Sequence, residues 1–222
     1  MYVDANSSFS YGGSGASWLD LSTYYTASTA KNLTLDATPT FVESTPNYFD
    51  FTDGTDAAQY KPGGTLTEIT STTNTICMFF AYHGSTSNYR TIVRSASGGS
   101  AIDFILVNTG TNNLGTYTSG FNSFGVNIST DIPSYTTQFN YQVFTTQPGR
   151  AGNDTQMFLN AASGSAIGGT ENEMGNGPAL FGNQQTGGQP GAKIAAILVY
   201  DRVLTTAEIG QNYEALKADM GL

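Results

Sequence analysis

The chain has 222 residues and a net charge of −9, with 26 glycines, 39% apolar residues, 12% aromatics and only 11% charged residues. That length fits one all-β domain, and the apolar and aromatic content fills a core and argues against disorder. Its eight Lys and Arg, scattered singly, exclude a phosphate-binding face, and no segment reaches the roughly 18–20 continuous apolar residues of a membrane span.

Met1-Tyr2-Val3-Asp4 enters a strand at once, without the basic and apolar regions of a secretory signal. Strands are predicted at 2–5, 17–21, 32–35, 48–52, 66–70, 75–82, 89–95, 102–108, 114–118, 140–146, 155–161, 178–182 and 192–203. Gly98-Gly99, Gly168-Gly169 and Gly187-Gly188 mark turns between them. Trp18 and Leu21 are expected in the core, with Gly12-Gly13-Ser14-Gly15 as an exposed loop. Cys77 lies in the apolar run Ile76–Tyr82; a lone thiol makes no internal disulfide and packs as a small hydrophobe.

The last elements carry the most information. Ala192–Leu204 reads as a buried strand running into a short amphipathic helix near 205–218. Thr205 and Glu208 have capping-box spacing, and Ile209, Tyr213 and Leu216 form one apolar stripe. Gly221, after Lys217 in the last turn, supplies the stop.

Lys193-Ile194-Ala195, Tyr200, Arg202, Leu204, Glu208-Ile209 and Asn212-Tyr213 resemble the C-terminus of the laminin-G-like branch of the concanavalin A-like lectin/glucanase superfamily. The N-terminal half resembles that family too, at Val3-Asp4-Ala5-Asn6, Tyr11 with Gly13-Ser14-Gly15, Trp18–Ser22, Pro39-Thr40-Phe41 and Phe49–Asp56. The resemblance implies an all-β fold, a two-sheet antiparallel jelly-roll sandwich with one short C-terminal α-helix, formed by residues 1–222 as a single domain. It covers about residues 3–60 and 155–216; the middle matches only as generic strands and loops.

The chemistry is mostly negative. Glycoside hydrolysis needs two carboxyl groups about 5–9.5 Å apart across the sugar, and period-2 spacing on a strand supplies them in the family's enzymes. Here the close pair is Glu171 and Glu173, in turn-like sequence, so no catalytic residue is assigned and no enzyme is expected. His83, the single histidine, opens a Gly/Ser loop and reads as a solvated imidazole. Asp50, Asp53 and Asp56 offer oxygens of the kind calcium takes. The Asp-Gly turn explains the same composition, so no metal or other cofactor is assigned. Sequons at Asn6, Asn32, Asn127 and Asn153 matter only in an exported eukaryotic protein.

A carbohydrate site needs aromatic platforms and a rim of amides and hydroxyls. Tyr117, Phe121, Phe124 and Tyr135, with Asn112 and Asn113, provide those types on apparent loops. Domains of this family inside cells are mostly exported. A stand-alone copy that begins on its own Met therefore points to a protein made in the cytoplasm and released by lysis, a non-enzymatic virion structural protein of the phage type. Its place would be a capsid decoration, fibre, knob or tail-associated module in the virion. Expected partners are other virion proteins, copies of itself and a cell-surface polysaccharide, with no nucleic acid or membrane. Contacts between such acidic copies are expected at the nearly uncharged aromatic segments around Tyr24-Tyr25, Tyr89, Phe121, Phe124 and Tyr135. The alternative is an extracellular, cellular carbohydrate-binding module or degenerate glucanase.

Overall fold

The computed structural model describes residues 1–22, 31–36, 39–51, 57–59, 73–83, 89–95, 102–117, 121–132, 134–147, 155–167, 179–182, 189 and 191–221. In chain order the elements are β1 (Tyr2–Asp4), β2 (Ser17–Trp18), β3 (Leu33–Asp36), β4 (Thr40–Val42), β5 (Tyr48–Asp50), β6 (Ala57–Gln59), β7 (Asn74–Tyr82) and β8 (Tyr89–Ser95). There follow β9 (Ile102–Asn108), β10 (Asn113–Tyr117), β11 (Phe121–Asn127), α1 (Ile128–Asp131), β12 (Asn140–Thr146), β13 (Thr155–Leu159), β14 (Ala162–Ile167), β15 (Ala179–Phe181), β16 (Ala192–Tyr200) and α2 (Thr206–Leu216). Strands β4, β6, β11 and β14 were not expected from periodicity; they are short or Gly/Ser-rich, so their apolar period is weak. The strand expected at 66–70 and the Gly-Gly turns lie outside the described residues.

The strands form two antiparallel sheets. Sheet A runs β14-β13-β12-β7-β16-β5-β4, with β1 also paired to β16. Sheet B runs β11-β10-β9-β8-β15-β6-β3-β2. This is the expected two-sheet sandwich with a short C-terminal helix.

Why β7 reads as an unbroken apolar run becomes clear from its two faces. Ile76, Met78, Phe80 and Tyr82 join the core between the sheets, whereas Cys77, Phe79 and Ala81 join a second apolar cluster on the far side of sheet A. Helix α2 covers that second cluster with Ile209 and Leu216, helped by Leu204, Met220 and the half-buried Tyr213. The strand β16 solves the same problem with a bulge. Its register to β7 slips between Ile194 and Ala196, so Ala195 and Ala196 both serve the helix side while Ile194 and Ile197 stay inside.

Most of the residues that carry the family resemblance build this scaffold. The capping box is complete: Thr205 Oγ1 accepts from Glu208 N at 3.3 Å, and Glu208 Oε2 accepts from Thr205 N at 2.8 Å. Arg202 grips the same carboxylate with both terminal nitrogens, at 2.7 and 3.0 Å. Asn212 Nδ2 donates to the Tyr200 hydroxyl at 3.0 Å, and Tyr213 stacks 5.7 Å from Tyr141. At the other end, Asp20 accepts from the backbone N–H groups of Tyr2, Ser22 and Lys31, at 2.8, 2.9 and 3.1 Å. Asp4 is buried and takes the Tyr2 hydroxyl at 2.9 Å. Trp18 is fully buried, 4.8 Å from Phe49, as expected; Leu21 is half-buried instead, with its N–H spent on the Tyr2 carbonyl at 2.7 Å. Gly12 to Gly15 are exposed.

Candidate functional site

The two sheets differ on their outer faces. Sheet A carries α2; among the described residues, sheet B carries an aromatic group instead. The strands β8 to β11 send Ile92, Ile105, Val107, Leu114 and Phe124 into the inter-sheet core. Alternation along β10 and β11 then turns Tyr117 and Phe121 the other way. These two are directly paired across the β10–β11 hairpin. The Tyr89 ring of β8 reaches both, edge-on to Tyr117 with ring centres 5.4 Å apart and tilted to Phe121 at 6.4 Å. All three rings are half-buried and belong to neither apolar cluster, so they pack on one another rather than on the core. Exposed Ser123 and Gly125 continue the face, with Ser123 Oγ accepting from Gly125 N at 3.0 Å.

Of the six residues expected at a carbohydrate site, the structure therefore brings two together, Tyr117 and Phe121, and adds Tyr89. They lie on strands, not loops. Phe124 is a core residue, 6% exposed, because it falls on the opposite parity from Phe121. Tyr135 packs against the same core; its carbonyl accepts from Tyr82 N at 2.7 Å. Asn112 and Asn113 sit at the β9–β10 turn. There Asn112 adopts a φ of 56° and offers Oδ1 to Arg90 at 3.3 Å, so it is structural. Asn113 is half-buried, paired with Asn108 and Asn127.

Arg90 anchors this end of the sandwich. It is 3% exposed and donates Nη1 to the His83 carbonyl at 2.5 Å as well as Nη2 to Asn112. Burial lowers its pKa, opposed by Tyr135 and Tyr82. Around the edge, His83 Nε2 lies 4.0 Å from Asp50 Oδ1, and Lys193 is opposite Asp50 in the ladder. Desolvation lowers the His83 pKa against the pull of Asp50, and desolvation raises the Asp50 pKa against Lys193 and His83. The imidazole is thus half-buried at a strand end, not a solvated loop residue. Among the described residues there is no group of three or more His, Cys, Asp or Glu that could hold a metal. Asp53, Asp56, Glu171, Glu173 and Tyr24-Tyr25 lie outside the described residues.

One exposed aromatic had no signal in periodicity. Phe9 is 84% exposed at a turn in which Ser10 N and Tyr11 N both donate to the Ser7 carbonyl at 2.9 Å. Its neighbour Ser10 is pinned, with Oγ accepting from Asp4 N at 3.1 Å and donating to the Leu19 carbonyl at 2.6 Å. Leu19 itself is 42% exposed. From Ala5 to Leu19 the chain has no charged residue, which is the one sequence feature that marks this surface.

Comparison with known proteins places these observations. Residues 52–210 match the family described as the concanavalin A-like lectin/glucanases superfamily. No curated protein matches the sequence. Among solved structures, Trypanosoma rangeli sialidase in complex with 2,3-difluoro-KDN is similar with a TM-score of 0.62 at 10% identity, over 99% of this chain. This chain spans 32% of that sialidase. The botulinum neurotoxin serotype D binding domain is similar with a TM-score of 0.66 at 12% identity, over 97% of this chain and 51% of that one. Domain 4 of AbnA, a GH43 extracellular arabinanase from Geobacillus stearothermophilus, solved with arabinotriose, gives 0.58 at 13% identity over 79% and 81% of the two chains. At such identities the likeness is one of fold.

Proposed function

We propose that this chain, which belongs to the concanavalin A-like lectin/glucanases superfamily, is a non-enzymatic glycan-binding module whose site is the outer face of sheet B around Tyr89, Tyr117 and Phe121. One observation carries this reading: three aromatic rings pack on one another outside both cores and stay half-exposed. Partly exposed rings offer the apolar face of a pyranose a platform, and hydroxyls beside them suit its polar rim. The Tyr89 and Tyr117 hydroxyls and Ser123 fill that second part. Domain 4 of AbnA, of comparable extent, is solved with arabinotriose, which supports carbohydrate binding by a domain of this shape.

The non-enzymatic reading draws support from three carboxylates, among the described residues, that are occupied in holding the scaffold. Asp4 and Asp20 hold backbone N–H groups, and Glu208 caps a helix and binds Arg202. As setting we propose the surface of a virus particle, in many copies, with an extracellular cellular module as the alternative. Weak single contacts with a glycan gain greatly from such repetition. The exposed Phe9 on its uncharged turn gives neighbours of net charge −9 a contact free of like-charge repulsion.

Titration of the purified chain with a panel of oligosaccharides tests the site. Tyr117→Ala and Phe121→Ala should each weaken binding about tenfold or more, equivalent to about 1.4 kcal/mol; unchanged affinity in both sinks the platform. No polysaccharide in the panel should be hydrolysed, and turnover that disappears in Glu171→Gln or Glu173→Gln overturns the non-enzymatic reading. Retention on particles through a high-salt wash, reduced in Phe9→Ser, supports the virion setting; a chain that never sediments with particles favours the cellular module.

A further inference from the structure

Resting on that glycan reading, we infer that the platform selects neutral sugars and discriminates against sialylated, uronate or sulfated ones. Recognition of an anionic sugar calls for a cation at the site, above all a guanidinium presenting two parallel donors. The chain has eight Lys and Arg against 17 Asp and Glu, so cations are scarce, and the structure shows where they are used. Arg202 binds Glu208 at 2.7 Å and Lys217 binds Glu214 at 2.5 Å, both at α2 on the far side of sheet A. Lys193 faces Asp50 in the ladder of sheet A. Lys31 is buried beside Asp20, next to β3 at the opposite end of sheet B from β10 and β11. Arg90 is buried beneath the platform strands, with Nη1 on the His83 carbonyl and Nη2 on Asn112. Lys61 and Arg150 lie outside the described residues.

Arg94 is the remaining described cation, and its register places it in the row of the platform rings. Arg94 is opposite Asp103, Asp103 is opposite Tyr117, and Tyr117 is opposite Phe121. A single row across four strands thus carries one residue of each charge and then two aromatics. Its formal charge sums to zero, inside a molecule of net charge −9 whose field disfavours the approach of an anion. An uncharged sugar meets none of that repulsion and gains the ring contacts in full.

The test compares a neutral oligosaccharide with counterparts that differ only by one carboxylate or sulfate, at low and high ionic strength, by calorimetry on the full chain. The neutral ligand should bind about tenfold or more tightly at low salt, with an affinity that barely changes as salt rises. The gap should narrow at high salt because screening weakens like-charge repulsion. Asp103→Asn should also narrow it at low salt. Tyr117→Leu, which keeps apolar bulk and removes the ring, should weaken both kinds of binding about tenfold while the far-ultraviolet spectrum stays native. An anionic counterpart that binds as well or better, in a Tyr117-dependent way, overturns the selectivity and leaves the glycan site standing. Glycan binding that is absent, or that does not depend on Tyr117, overturns the site, and the selectivity with it.

Discussion

Replacing Trp18 tests the core that the whole argument stands on. Its indole is fully buried, 4.8 Å from Phe49, in a group that also includes Tyr11 and Phe41. Trp18→Ala should therefore cost about 3–5 kcal/mol, the range for deleting a buried large aromatic. For a chain of this size each kcal/mol lowers Tm by about 2–4 °C, so the expected fall is about 6–20 °C. That is a large share of a total stability of about 5–15 kcal/mol. The structure adds a sharper contrast. Trp18 Nε1 is buried without a hydrogen-bond partner among the described residues, a burden of about 1–3 kcal/mol in the wild type. Trp18→Phe removes that burden while leaving a void worth roughly 1–2 kcal/mol in lost packing, so the two effects nearly cancel. Thermal melts followed by circular dichroism should rank wild type and Trp18→Phe close together and Trp18→Ala far below. A Trp18→Ala melt near wild type refutes the burial. A Trp18→Phe variant as unstable as Trp18→Ala refutes the unpaired indole.

Gly191→Ala should destabilise severely, because an added Cβ would lie 2.0 Å from the Thr91 carbonyl oxygen, backbone against backbone, where β16 meets β8. We expect about 3 kcal/mol or more, at or beyond the upper end of overpacking costs; a melt within about 2 °C of wild type counts against the close approach. The Glu208 carboxyl is held down to about 2 from 4.5 by hydrogen bonds from Arg202 and then Thr205. A depressed pKa means that its support for α2 is complete above pH 4.5 and fades as pH falls towards 2. The Tm difference between wild type and Glu208→Gln should close across that window; a difference that is constant with pH contradicts the pairing.

The ending of the chain was legible because its signals are local. Thr205 and Glu208 cap the helix through backbone N–H groups three residues apart, and Ile209, Tyr213 and Leu216 share a stripe set by helical pitch alone. Trp18 and the aromatic, alternating segments around it likewise announced a sandwich core. What periodicity could not assign was the second face of a buried strand. Ile76–Tyr82 is apolar throughout, and only the packing shows that Cys77 and Phe79 lie under α2 while Ile76 and Met78 lie between the sheets. The candidate site shows the same limit. Phe121 and Phe124 look alike in sequence, yet strand parity sends one to the surface and the other to the core. Tyr89 joins Tyr117 only because β8 and β10 flank β9 in sheet B, a neighbour relation that local sequence does not encode. Local chemistry thus determined the helix and its cap, since these depend on contacts a few residues apart, while the sandwich fold was legible through the family resemblance. Which aromatics face water, and which cations remain near them, was decided by strand order and register, which depend on pairing between distant segments.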